Sequence, residues 1–172
     1  DPAILQLFEA SIREELTPKL NNPYVVGWTF GSEYDGIVTK AEVTAILDMG
    51  GTVPAKRAFV DLILQQNYCG EVSAMATAWG VEARTVDELY AATPRPPVDD
   101  VEKLRYYYAD AYHEFVYKTF KKVDPNHLYL GFWIIVGWWE NEDDWRIAAK
   151  HCDVISYDRY APEFFDEHMT RL

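Results

Sequence analysis

The run Val25-Val26-Gly27-Trp28-Thr29-Phe30 is largely apolar and does not alternate. That is the pattern of a strand covered on both faces rather than one with a wet side. Such strands belong to parallel sheets clad in helices, so this run points the chain towards α/β architectures. Asn22-Pro23 supplies the turn before it, and Glu33 stands just past its carboxyl end, where a loop begins. In parallel α/β folds, ligands bind and chemistry occurs at that rim. A Glu there, in aromatic company, is a candidate general acid for cleaving a sugar–sugar bond. The alternative is a solvated Glu that opens a surface loop.

The rest of the chain alternates helix with strand. A helix over 3–16 is expected from Ile4, Leu5, Phe8, Ile12 and Leu16, which fall close to one stripe. Short helices are expected over 39–49, 54–67, 71–79 and 85–92, the last with the capping-box pair Thr85 and Glu88. Thr93-Pro94-Arg95-Pro96-Pro97 interrupts them. Asp99 is expected to cap the longest helix, 100–122, which would bury Leu104, Tyr107, Tyr108, Ala111, Phe115, Val116 and Phe120. A second strand is expected at 127–133, a helix at 142–150, a third strand at 154–157 and a last helix at 162–170. The expected fold class is α/β, one domain over 1–172 with a helical excursion at about 37–98. Three parallel strands fall short of the eight in a closed (β/α)₈ barrel, so the expectation is a partial TIM-type barrel. Its open edges call for a homo-oligomer or for association with a missing portion of the barrel.

Composition narrows the function. Aromatic residues make up 15% of the 172, including twelve Tyr and six Trp. Sugar rings stack on such side chains; large cores and subunit contacts use them as well. The formal charge of −12 repels phosphate backbones and anionic lipid, which argues against nucleic-acid and membrane-surface roles. The longest apolar run, Leu128 to Trp139, is too short for a membrane span, which needs ~20 residues. No signal peptide is visible, and the compartment, secreted or cytoplasmic, stays open. Cys69 and Cys152 lie far apart, without a zinc-type spacing, and read as two unpaired, mostly buried thiols. Gly50-Gly51 lacks the Lys-Ser/Thr of a phosphate loop. Glu140, Glu142, Asp143 and Asp144 read as a solvated helix start without calcium-loop spacing. His127 falls at the amino end of a strand, His113 within a helix and His151 before a strand, which makes none of them a metal or triad candidate.

Several blocks carry a resemblance. They are Asn22-Pro23-Tyr24-Val25-Val26-Gly27 with Glu33, Pro54-Ala55-Lys56 through Phe59-Val60, and Ala78-Trp79-Gly80 with Val86-Asp87-Glu88-Leu89. Lys122-Val123-Asp124-Pro125-Asn126-His127-Leu128-Tyr129-Leu130-Gly131 and Cys152-Asp153-Val154-Ile155-Ser156-Tyr157-Asp158-Arg159-Tyr160 complete the set. In this order they resemble the central part of a retaining (β/α)₈-barrel glycoside hydrolase of the β-agarase-like and β-galactosidase-related group. The resemblance implies that the three strands correspond to the fourth, fifth and sixth of the barrel, with Glu33 on the acid/base position. Two departures stand out. Ser32 replaces the family's usual Asn, whose amide holds the sugar 2-hydroxyl. The family's nucleophile follows a seventh strand, which this sequence is not expected to contain.

Asp158 is the candidate partner carboxylate; its alternative role is to hydrogen-bond Arg159 or a neighbouring loop. Trp133, Trp138 and Trp139 are candidates for a sugar-stacking platform or an association surface. Tyr157 and Tyr160 are candidates for substrate hydrogen bonds, and a hydroxyl satisfied by a neighbour is an equal alternative for Tyr157. The expected function is hydrolysis of a β-linked oligo- or polysaccharide, with carbohydrate as the partner and no metal or organic cofactor required. The alternative is a catalytically silent half-barrel that binds saccharide or serves as an assembly module.

Overall fold

The computed structural model describes residues 2–31, 36–135 and 142–158. Helix α1 (Pro2–Leu16) leads through one 3₁₀ turn to β1 (Gly27–Trp28). Helices α2 (Lys40–Leu47), α3 (Pro54–Tyr68), α4 (Val72–Ala78) and α5 (Val86–Ala91) form the excursion. The long helix α6 (Val98–Val123) then returns the chain to β2 (Leu128–Tyr129) and β3 (Trp133–Ile135), followed by α7 (Glu142–Lys150) and β4 (Ser156–Asp158). The described chain is thus mostly helical, with short strands.

Both strand pairings are parallel. Gly27 stands opposite Leu128 and Trp28 opposite Tyr129. In the second pair Trp133, Ile134 and Ile135 stand opposite Ser156, Tyr157 and Asp158. Strands β2 and β3 are one passage of chain, broken at 130–132 where Gly131 takes a φ of 71°. Glycine takes that conformation at no steric cost, and a Cβ there would lie 3.3 Å from the Cβ of Cys152. Bonds from Phe30 N to Gly131 O (3.2 Å) and from Asp153 N to Tyr129 O (2.8 Å) carry the contacts of β1 and of the chain before β4 across the break. The continuous strand expected over 127–133 is therefore corrected to two pieces, the second ending at Ile135. The strand expected at 154–157 forms over 156–158. Cover on both faces does not extend along the whole 25–30 run either, since Val26 is 72% exposed.

Two apolar cores flank α6. One is built by the excursion, from Val43, Leu47, Phe59, Val60, Ile63, Met75, Trp79 and Leu89, and receives Leu104 from α6. The other joins Ile12 and Leu16 of α1 and Tyr129 and Phe132 of the sheet region to Val116, Phe120 and Val123 of α6. At 26 residues the helix is ~39 Å long, enough to serve both cores.

The cap of α6 differs from expectation. Pro97 precedes the helix, and Asp99 and Asp100 occupy its first turn, where carboxylates favour the positive end of the dipole. Asp100 is buried because it is needed inside: it accepts from Trp79 Nε1 (2.7 Å), Tyr68 Oη (2.9 Å) and Asn67 Nδ2 (2.5 Å). The buried face of α6 also differs, since Tyr107 is 41% exposed while Asp100, Arg105, His113 and Thr119 are inside. Buried Lys56 ties the excursion together, donating to Met49 O (2.8 Å) and Ala92 O (2.6 Å). The thiols are unpaired, but Cys69 is exposed, contrary to expectation, and Cys152 is half-buried. Burial pushes the Cys152 thiol up to about 11.

At the amino ends of the strands, Asp124 accepts from Trp28 Nε1 (2.8 Å), His127 Nδ1 (2.6 Å) and the amides of Asn126 and His127. Burial alone would raise the Asp124 pKa, but the Trp28 and His127 bonds hold it below the ordinary carboxylate value. The Asp124 bond raises the His127 pKa, and His127 Nε2 also faces Asn22 O at 3.2 Å.

Two outcomes are expected. A methyl on Gly27 would meet Leu128 O at 2.5 Å, whereas one on Gly50 would meet nothing within 4 Å. Gly27→Ala should therefore cost about 1–3 kcal/mol in urea denaturation, and Gly50→Ala should be neutral or stabilise by up to about 1 kcal/mol. The second concerns pH. Because the folded pKa of His127 is raised, its contribution is complete below the unfolded value of about 6.5 and is lost as pH rises through the folded pKa. The stability difference between wild type and His127→Gln should accordingly shrink between acidic and alkaline pH, as read from urea midpoints.

Candidate active site

Because both pairings are parallel, the carboxyl ends of β1, β3 and β4 point the same way along the sheet passage. In the sequence, the segments 32–35, 136–141 and 159–172 come after β1, β3 and β4. Ser32, Glu33, Trp138, Trp139 and Tyr160 fall on those segments and so lie outside the described residues. The remaining candidates sit on one strand pair. Asp158 is the last residue of β4, partly buried, with its backbone opposite Ile135. Tyr157 is in register with Ile134. Trp133 is 47% exposed, but it opens β3 two residues before the strand's end instead of following it, because the chain resumes its strand after Gly131. The structure thus places Trp133, Tyr157 and Asp158 on adjacent strands at the rim end of the sheet. His127, with Asp124, lies at the opposite end. Among the described residues no group of three His, Cys, Asp or Glu side chains could hold a metal ion.

Behind the rim stands a polar cluster that sequence reasoning missed. The segment 36–40 runs antiparallel to α6. His113 Nε2 lies 3.0 Å from Gly36 O. Val38 is buried against Ala109 and Ile147. Arg105 Nη1 donates to Val38 O at 3.2 Å, and Lys40 meets Glu102 at 2.8 Å. The helix positions 113, 109, 105 and 102 are successive turns of one face. Capping then fixes the start of α2, where the Thr39 side chain accepts from the Glu42 amide and Glu42 accepts from Thr39 N.

Arg105 does more than hold Val38. Its Nη1 donates to Asp144 in the first turn of α7 at 2.7 Å, and Nη2 and Nε donate to Glu102 at 3.0 and 3.2 Å. The ring of Tyr106 lies 4.4 Å from the guanidinium carbon. Burial would lower the Arg105 pKa, but its hydrogen bonds to Glu102 and Asp144 more than offset it and leave the pKa raised. Burial would raise Glu102, but Arg105 and Lys40 hold it down to about 2. For Asp144 burial wins, and its pKa stays above the ordinary carboxylate value despite Arg105. A carbonyl only accepts, so the His113 bond to Gly36 requires the proton on Nε2. Burial lowers the His113 pKa to about 4, so the ring is neutral at neutral pH. One sequence signal pointed here: His113 falls in helical step with the apolar Ala109, Val116 and Phe120.

With this geometry in view, the chain is similar to a class of carbohydrate-cleaving enzymes, the glycoside hydrolases. More particularly, it is similar to β-agarases. It is 30% identical over 155 residues to β-agarase A of Vibrio sp. (strain JT0107), a match covering 81% of this chain and 16% of that protein. It is 26% identical over 178 residues to β-agarase B of the same organism, covering 95% of this chain and 18% of that protein. It superposes on the crystal structure of an agarase, AgWH50C, with a TM-score of 0.77 and 26% identity, over 93% of this chain and 24% of the agarase. No protein-family profile matches the chain. The resemblance carried by the sequence blocks therefore extends to the fold, and the chain spans less than a fifth of the length of these curated relatives.

One outcome follows from the cluster. Replacing Arg105 by Leu leaves the carboxylates of Glu102 and Asp144 without their shared cation. Removing one partner of a buried ion pair costs roughly 3–5 kcal/mol. Urea denaturation should show a loss of that order, and Asp144→Asn should lose less because one neutral acceptor remains.

Proposed function

We propose that this chain supplies the acid/base side of an active site that hydrolyses a β-linked polysaccharide of the agar type. The observation that carries this reading is the similarity to β-agarases over most of the chain. Parallel pairing of the strands supports it, because in chain order Glu33 follows the carboxyl end of β1. In this reading Glu33 protonates the departing glycosidic oxygen and then takes a proton from the incoming water. Asp158 is the in-chain partner carboxylate. A separation from Glu33 of roughly 5 Å would give retention, and one of roughly 6.5–9.5 Å inversion. Ser32, Tyr157 and Tyr160 would hydrogen-bond sugar, and Trp133, Trp138 and Trp139 would stack on it. Neither a metal nor an organic cofactor has a part in this chemistry.

The same proposal treats the strands as neighbouring members of an incomplete (β/α)₈ barrel. Support comes from parallel pairing on both sides of the β2–β3 passage and from helical crossovers between the strands. Closure would require association with further copies or with the remaining strands. The small share of the relatives that the chain spans favours a second reading, a module that binds saccharide without cleaving it.

The experiment compares wild type and Glu33→Gln on agarose oligosaccharides and aryl β-glycosides. Loss of a general acid should lower turnover by about 10²–10⁴-fold, read as reducing-sugar release. Equal turnover in the two proteins removes Glu33 from the mechanism. Calorimetric saccharide binding without release, in wild type itself, selects the second reading.

A further inference from the structure

We propose that Gly131 and Ser156 are positioning residues that turn the pleat of the β2–β3 passage by one residue, so that Trp133 joins Asp158 on one sheet face and forms a shelf for a pyranose ring. The shelf rests on the saccharide part of the reading above; the turned pleat does not.

The turn is visible in the hydrogen bonds. Leu130 N donates to Trp28 O at 2.7 Å, as a parallel ladder requires. Continued without interruption, that ladder would next take Phe30 N to Leu130 O. Phe30 N instead reaches one residue further, to Gly131 O at 3.2 Å. Leu130 O accepts from the Ser156 hydroxyl of β4 at 2.6 Å. One extra residue is thus inserted on this strand, which makes the break a bulge. Gly131 supplies its left-handed residue, at a φ of 71°.

The side chains record the consequence. Tyr129 and Phe132 are both buried in the core that α6 shares with the sheet region, and the Phe132 ring meets His113 and Tyr112 at 4.7 and 5.6 Å. Successive strand residues point to opposite faces, so an uninterrupted strand would put 129, 131 and 133 on the helix side. The extra residue keeps 129 and 132 there and sends Trp133 to the other face, where it is 47% exposed. Ser156 stands opposite Trp133 in register, and Asp158 lies two residues further along β4. All three therefore share one face. Without the bulge, Trp133 would turn towards the helices and leave that face.

The resulting face suits a sugar. An exposed indole offers a flat apolar surface to the C–H side of a ring, and a carboxylate on the neighbouring strand accepts from hydroxyls. A neutral pyranose meets both.

The experiment labels the full chain with 5-fluorotryptophan. It follows the Trp133 ¹⁹F resonance, assigned with Trp133→Phe, for its solvent isotope shift and during titration with an agarose tetrasaccharide. In wild type the resonance should report an exposed ring and move as saccharide is added. Ser156→Ala removes the pin on Leu130 O, and Gly131→Ala puts a methyl on a left-handed residue, 3.3 Å from Cys152 Cβ. Both should reduce the exposure of Trp133 and weaken saccharide binding about tenfold, the scale of one lost ring contact. Ser156→Thr keeps the hydroxyl and should restore both readouts. Leu64→Ala, in the separate core of the excursion, is a destabilised control that should change neither. A purely structural role leaves the Trp133 resonance and the affinity at wild-type values in every folded variant, which overturns the proposal. If Gly131→Ala does not fold, Ser156→Ala and Ser156→Thr decide between the same outcomes. Saccharide binding or cleavage that leaves the Trp133 resonance unmoved removes the shelf without touching the hydrolase reading. A moving resonance with no reducing-sugar release removes the hydrolase and keeps the shelf. No binding at all overturns both.

Discussion

An arginine only 7% exposed persists in a fold when its charge and its donors are met, and Arg105 meets both conditions by joining two distant pieces of chain to its own helix. Val38 comes from the segment after β1, Glu102 from its own helix, and Asp144 from the start of α7. Desolvating an ion pair costs about as much as its attraction returns, so such a cluster contributes little net stability compared with an apolar one. What it contributes is geometry. An apolar cluster would allow the segment 36–40 to slide along α6, whereas the fork of Arg105 and the ring of His113 select one register. The segment 36–40 and the first turn of α7 depend on that register, because both are bonded to the same face of α6.

The excursion uses the same device without reaching the rim. Asp100 gathers Trp79, Tyr68 and Asn67, and Lys56 joins the carbonyls at the ends of α2 and α5. Burial raises the Tyr68 hydroxyl to about 12, so it acts as a donor to Asp100 throughout the physiological range. Short helices such as α4 and α5 are marginal by themselves; the buried polar ties and the shared core hold them. The excursion is therefore a body with its own core, coupled through Leu104 to the helix that supports the rim.

Much of this was legible in the sequence, for reasons that separate cleanly. The bounds of α3 and α7 follow from Pro54 and from the acidic start at 142–144, both local signals, and the capping box at Thr85 formed as read. The equivalent box of Thr39 and Glu42 carried the same signal and was passed over. On α6, counting apolar residues put Tyr107 and Ala111 inside, while the structure buries Asp100, Arg105 and His113 instead. Periodicity weighs a side chain by its own polarity, whereas burial depends on partners such as Trp79, Asp144 and Gly36 that lie elsewhere in the chain. Gly131 was read only as part of a strand, because a positive φ leaves no mark on hydropathy. The Glu33 reading rests on its place after a strand, a matter of chain order alone, and lies outside the described residues.

The blocks that carry the β-agarase resemblance divide accordingly. Gly27 is there because a Cβ would strike the neighbouring strand. Lys56 and Trp79 hold the excursion, and Asp124 and His127 close the turn into β2. Asp153 accepts from Tyr129 N at 2.8 Å and from Lys121 at 3.0 Å, joining the chain before β4 to β2. None of these residues lies at the carboxyl ends of the strands; Gly27 avoids a clash, and each of the others meets a hydrogen-bonding group elsewhere in the chain. A sequence can keep all of them and so keep the fold, while the residues that touch substrate change independently. In the proposed reading, Ser32 in place of the Asn implied by the resemblance is a change of that second kind. Similarity at the first set accordingly supports the architecture, and in the proposed reading the substrate is selected separately, by Ser32, Glu33 and Asp158.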